Sequence, residues 1–261
     1  MILFFLKKNF CDGWDNLLYL VLFNLILLAL FAGLYFALSL LISVSVPLAL
    51  LVSAVSVCIL MIPLFALSDS CARLADFKSV SVKETFAAFS AVWKDAVLFG
   101  LLVQLLVFMG AVALPFYFGM KNILGLVLGS LIFWILVVCV LSFQWFMPLR
   151  SRFGGGFRKN IKKCFAVFFD NALFSVFMFI YSLVLFVLSG LVAFMAPGAA
   201  GVILGYNNAL RLRVYKYDWL ETHRDIPPKE ARRSIPWDEL LGEDRETLGP
   251  RDLKSFIFPW K

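Results

Sequence analysis

The charged residues of this chain are sorted out of its long apolar runs. Between Leu17 and Leu210, every Asp, Glu, Lys and Arg falls in the short segments that separate stretches rich in Leu, Val, Phe and Ala. A helix rises about 1.5 Å per residue, so about 20 uncharged apolar residues cross a hydrocarbon core of about 30 Å. Backbone polar groups must be satisfied inside that core, which leaves helices or closed barrels, and runs this long lack the alternation of barrel strands. The pattern predicts an all-α polytopic membrane protein. The predicted spans are 17–43, 47–68, 96–117, 122–148, 171–195 and 197–214, giving a transmembrane domain over 1–214 and a tail over 215–261. The sixth is the weakest, because Asn207 and Asn208 interrupt it and Arg211 and Arg213 must snorkel to the interface.

Composition agrees. Of 261 residues, 62% are hydrophobic and 16% charged, against about 25% charged in a soluble domain. The surplus apolar area is lipid-facing surface. The formal net charge is +7, and the excess of Lys and Arg lies before residue 211, beside the membrane, where it meets anionic headgroups rather than nucleic acid. Cys11, Cys58, Cys71, Cys139 and Cys164 have no metal or redox spacing and read as free thiols that pack as small apolar groups.

Orientation follows from the bases beside the spans. Lys7 and Lys8 precede the first, and the connection around 43–47 has none. Arg73, Lys78, Lys83 and Lys94 follow the second, and Lys121 stands alone after the third. Arg150, Arg152, Arg158, Lys159, Lys162 and Lys163 follow the fourth, 196–198 has none, and Arg211, Arg213 and Lys216 come last. High and low charge alternate, which predicts six spans with both termini cytoplasmic.

One element recurs. Trp14-Asp15-Asn16-Leu17-Leu18-Tyr19 matches Phe169-Asp170-Asn171-Ala172-Leu173-Phe174, and Trp93-Lys94-Asp95-Ala96-Val97-Leu98-Phe99 repeats its tail with one extra residue. A short acceptor at a helix start can satisfy orphan N–H groups, so Asp15, Asp95 and Asp170 are predicted to cap the helices that follow. Basic amphipathic pieces precede each copy. Phe157, Ile161, Phe165 and Phe168, for example, form a stripe opposed by Arg158, Lys159, Lys162 and Lys163. The expected architecture is three transmembrane hairpins, each preceded by an interfacial helix. Lys7, Lys8, Arg158, Lys159, Lys162 and Lys163 are the predicted contacts to anionic lipid headgroups. Gly154-Gly155-Gly156 reads as a hinge before the third unit. Gly125/Gly129 and Gly201/Gly205 permit close helix approach, within one chain or in a homo-oligomer.

The tail carries apolar anchors at Trp237, Leu240, Leu241, Phe256, Phe258 and Trp260. They either strap the tail across the protein's own cytoplasmic face or dock it on a protein partner. The spans hold no titratable group of the kind that ion-coupled transport needs. Their amides, chiefly Gln104, Gln144, Asn207 and Asn208, serve interhelical hydrogen bonds or line a neutral-solute path. His223 reads as a solvated surface residue. The membrane-edge aspartates Asp12, Asp15, Asp69, Asp76, Asp95 and Asp170 match no metal-dependent lipid-chemistry motif, so no enzyme activity, metal or cofactor is expected.

The layout resembles a known family. A basic-aromatic start followed by Asp15-Asn16-Leu17-Leu18 and a span, then Phe- and Lys-rich segments before each hairpin (Lys83–Phe99, Arg158–Phe174), is similar to the YesL-like bacterial integral membrane proteins over residues 5–210. The resemblance implies a small polytopic protein without assigned activity, associated with sugar-uptake systems. It supplies no catalytic residues, and the tail from Arg211 departs from the family pattern. The expected role is a non-enzymatic accessory or scaffold; a permease or channel for a neutral solute is the alternative.

Overall fold

The computed structural model describes residues 1–42, 45–224, 226–227, 230 and 234–251. Among them the regular elements are helices: α1 (Ile2–Asp15), α2 (Leu17–Ile42), α3 (Val46–Ala75), α4 (Val82–Ala87), α5 (Phe89–Phe108), a π turn (Met109–Ala113), α6 (Leu114–Gly119), α7 (Ile123–Phe143), α8 (Phe146–Phe153), α9 (Phe157–Asp170), α10 (Ala172–Gly190), α11 (Gly198–Thr222), α12 (Trp237–Leu240) and α13 (Gly242–Leu248). Five stretches are long and apolar enough to cross a membrane: Leu17–Ile42, Pro47–Ala75, Phe89–Gly119, Ile123–Phe153 and Ala172–Gly190. This is a multi-pass, all-α membrane protein.

The sixth predicted span has a different character. Helix α11 runs through 197–214 and on to Thr222, but it is not one of the five apolar stretches. It is the central post of the bundle, packed by α1, α2, α3 and α10, with Ala200, Leu204, Asn208, Ala209 and Leu212 all buried. Small and amide residues replace bulky apolar ones because its neighbours are helices rather than lipid. At Gly205 a Cβ would already stand 3.4 Å from the Tyr181 ring.

Side-chain contacts fix how far α11 climbs. Asn207 Nδ2 donates to Ser68 Oγ of α3 at 3.3 Å, and Gly198 lies against Asn24 of α2. The nine residue steps between them rise about 14 Å, whereas α3 continues from Ser68 to Val46 for about 33 Å. The α10–α11 tip therefore stops partway up the bundle, level with Asn24. Asn24 holds it there: its Nδ2 donates to the Met195 and Pro197 carbonyls, both at 2.9 Å, and its Oδ1 accepts from Ala200 N at 2.8 Å. Gly198 has φ +60, and a Cβ there would lie 2.3 Å from the Asn24 amide, so both conformation and space demand glycine.

The repeated sequence element builds a repeated corner, though not through its aspartates. Asn16 Nδ2 donates to the Asp12 carbonyl at 2.9 Å between α1 and α2, and Asn171 Nδ2 donates to the Val167 carbonyl at 3.2 Å between α9 and α10. The middle copy has Ala96 in that place, and α5 runs straight through it. There the chain breaks earlier, after α4, whose N-cap Ser81 Oγ accepts from Glu84 N at 3.2 Å. The predicted caps are thus corrected: Asp15 and Asp170 end α1 and α9, Asp95 lies inside α5, and a base engages each of them. Both glycine pairs pack within the chain. A Cβ on Gly125 would stand 2.4 Å from the Tyr117 carbonyl, and one on Gly129 would stand 3.0 Å from the Phe118 ring.

Candidate functional site at the charged face

Every apolar run that ends in an aspartate brings it to the same end of the bundle, and later helices bring arginines to meet it. Arg150 of α8 donates from Nη1 to Asp69 Oδ2 at 2.6 Å and from Nε to Asp95 Oδ2 at 3.2 Å, tying α3 to α5. Arg152 pairs with Asp76 at 2.8 Å. Arg211 of α11 pairs with Asp76 as well and reaches Asp244 of α13 at 2.7 Å. Arginine suits this layer because its planar fork donates to two carboxylates at once. Burial alone raises the Asp76 carboxyl, but Arg152 and Arg211 outweigh it and hold the group below the ordinary carboxylate range.

A second set of charges lies deeper. Lys8 is fully buried, donates to Asp12 Oδ2 at 2.9 Å and stands 3.6 Å from the centre of the Phe77 ring. Burial lowers the Lys8 ammonium and raises the Asp12 carboxyl, and each group opposes the other's shift. Lys8 is therefore no headgroup contact: α1 turns the face bearing Phe4, Phe5, Lys8, Asn9, Cys11 and Asp12 inward. Lys216 reaches Asp170 at 2.7 Å and the Asn171 Oδ1 at 2.8 Å. Arg213 stacks 3.8 Å from the Phe174 ring centre, and its Nε has no hydrogen-bond partner among the described residues. Arg251 pairs with Asp15 at 2.5 Å. All six edge aspartates are thus engaged by bases, and among the described residues no cluster of His, Cys, Asp or Glu gathers that could hold a metal.

The start of the tail closes this layer. Leu241, Asp244 and Leu248 are buried, and Trp237 packs on the same apolar cluster as Phe4 and Phe5. Leu240 is half-buried. The strap reading thus fits Trp237 and Leu241, while Phe256, Phe258 and Trp260 lie outside the described residues. Met1 and the segment up to Arg251 meet on one side of the bundle, since Arg251 and Asp244 contact Asp15 and Arg211.

Several bases of this face stay exposed, Lys78, Lys83 and Lys94 among them, and α9 gathers three more. Arg158, Lys159 and Lys162 project outward and carry no ion pair among the described residues, while Asn160, Cys164, Val167 and Phe168 face the bundle. Lys163 is half-buried, 4.7 Å from the Phe153 ring centre. Lys7 is exposed and reaches the Gly249 carbonyl at 3.4 Å.

The four span amides do not converge. Gln104 donates to Ser53 Oγ at 3.1 Å, Asn207 to Ser68, and Asn208 to Asn9 Oδ1 at 3.1 Å. Gln144 donates to the Ser175 carbonyl at 2.9 Å and accepts from Tyr206 Oη at 2.8 Å. Of the four, only Gln144 lines the large cavity of about 760 Å³ between α5, α7, α10 and α11. Sequence reasoning missed Arg150, Arg152, Arg211 and Asp244 as one network. Their signal was the matching of aspartates at apolar run ends with arginines at later ones.

No family model, curated protein or solved structure matches the chain.

Proposed function

We propose that this protein is a non-enzymatic accessory protein of the bacterial inner membrane, with both termini cytoplasmic, that holds a partner through a fixed basic platform. One observation carries the reading: the aspartates of the charged face are engaged by bases, while Arg158, Lys159 and Lys162 gather exposed on α9, a helix whose other side is packed into the bundle. A transport path would need polar groups that converge on one cavity, and the span amides are dispersed in separate helix contacts. The association with a sugar-uptake system that the YesL-like layout implies belongs to the same proposal.

The test is co-purification of the full chain from native membranes in mild detergent. Membrane proteins retained by the wild type and lost from R158E/K159E/K162E support the platform. An unchanged set of retained proteins, or solute flux into vesicles that contain the pure protein alone, contradicts it.

A further inference from the structure

A cavity of about 760 Å³ lies between α5, α7, α10 and α11, apart from the ion-pair layer. Its α5 wall runs from Phe99 to Gly110 and its α7–α8 wall from Leu136 to Met147. Each wall covers eleven residue steps, or about 16 Å, which is half of a hydrocarbon core of about 30 Å. The lower end lies one helical turn above the Asp95–Arg150 pair. The upper end is closed by the π turn, which comes against α7 together with α6. Below that turn α5 packs on α3, while α7 packs on α9 and α10, so the two walls part. The back is α10 and α11, whose tip stops partway up the bundle.

The slot is apolar except at its lower end. There Tyr206 Oη donates to Gln144 Oε1 at 2.8 Å and lies 3.0 Å from Ser182 Oγ. Just outside, Phe143 meets Phe165 of α9 edge-on at 5.4 Å. Arg158, Lys162 and Phe165 share one stripe of α9, at steps of four and three residues, so two exposed cations with no ion pair among the described residues flank that end.

We propose that this slot binds one acyl chain of an anionic phospholipid from the nearer leaflet, with the headgroup at Arg158 and Lys162. A slot one leaflet long, polar only at the surface end and bordered by cations, matches the distribution of chemistry along such a lipid.

Native mass spectrometry of the full chain, titrated with phosphatidylglycerol or phosphatidylcholine of the same chains, tests this. The wild type is expected to retain one phosphatidylglycerol at least five-fold more strongly than phosphatidylcholine. V103W, which fills the slot, is expected to lose that lipid. R158E/K162E is expected to lose the preference between headgroups. If V103W fails to fold, Gly110→Leu serves instead, because a Cβ at Gly110 meets only Leu136 Cδ1 at 3.8 Å. Equal retention of the two lipids by the wild type, or undiminished retention by a folded slot-filled variant, overturns the proposal. The isolated protein is measured, so the result is independent of whether a partner co-purifies.

Discussion

Lys7 and Lys8 are neighbours in sequence but about 100° apart on α1, and the bundle treats them oppositely. Lys7 is exposed and Lys8 is sealed against Asp12 and Phe77. A buried pair contributes little net stability, yet removing one partner strands the other charge at about 3–5 kcal/mol. Lys8→Met should therefore destabilise by about that amount, whereas K8M/D12L should lie near the wild type; unfolding in detergent by graded SDS measures both. In Lys8→Met the penalty should shrink as pH falls, because protonation of Asp12 removes the stranded charge. Asp76 has the opposite sign. Its folded carboxyl is held below the ordinary value of about 3.9, so its stabilisation is complete above that value and is lost as pH falls through the lower folded one. Melting curves should show Asp76→Asn less stable than the wild type near neutral pH, with the gap closing in strong acid. A gap that persists in acid would show that Arg152 and Arg211 do not depend on the ionised Asp76.

At the scale of elements, the repeated corner and the α10–α11 tip rest on asparagines. Asn171 holds the Val167 carbonyl and the Tyr217 hydroxyl and accepts from Lys216, whereas Asn16 has a hydrogen bond to the Asp12 carbonyl. Asn171→Ala should therefore cost more than Asn16→Ala. Asn24→Leu leaves two carbonyls and one N–H of the tip without their partner, at about 1–3 kcal/mol for each buried group. Thermal stability of the three variants should rank Asn24→Leu and Asn171→Ala well below Asn16→Ala. Much of this layer was legible in the sequence. The apolar runs fall on helices, and the Asp-Asn element marks the two corners. The sequence could not show that asparagine rather than aspartate turns the corner, because both are short acceptors and only the Asn amide can also donate to the carbonyl one turn back. Nor could periodicity show which lysine of α1 faces inward, since α1 carries a polar inner face, Lys8-Asn9-Asp12, where an amphipathic pattern anticipates apolar residues. The low hydropathy of α11, read as a poor span, is the composition of a helix surrounded by other helices.

At the scale of the molecule, two full-height hairpins, α2–α3 and α5–α7, stand around a shorter one, α10–α11. Among the described residues, the ion pairs that join separate helices sit at one end. The arrangement explains how a chain with five apolar spanning-length helices keeps its start and its tail on the same side: α10 and α11 enter and return from that side. Whether the tip ends within the bilayer is decided by access. Cysteines placed at Lys121, in the α6–α7 turn, and at Val192, in the α10–α11 tip, should be probed with a membrane-impermeant maleimide in sealed vesicles of either orientation. Lys121→Cys is expected to label from the side opposite the termini, and Val192→Cys from neither side. Labelling of Val192→Cys from the same side as Lys121→Cys would place the tip in water and contradict a hairpin that stops partway.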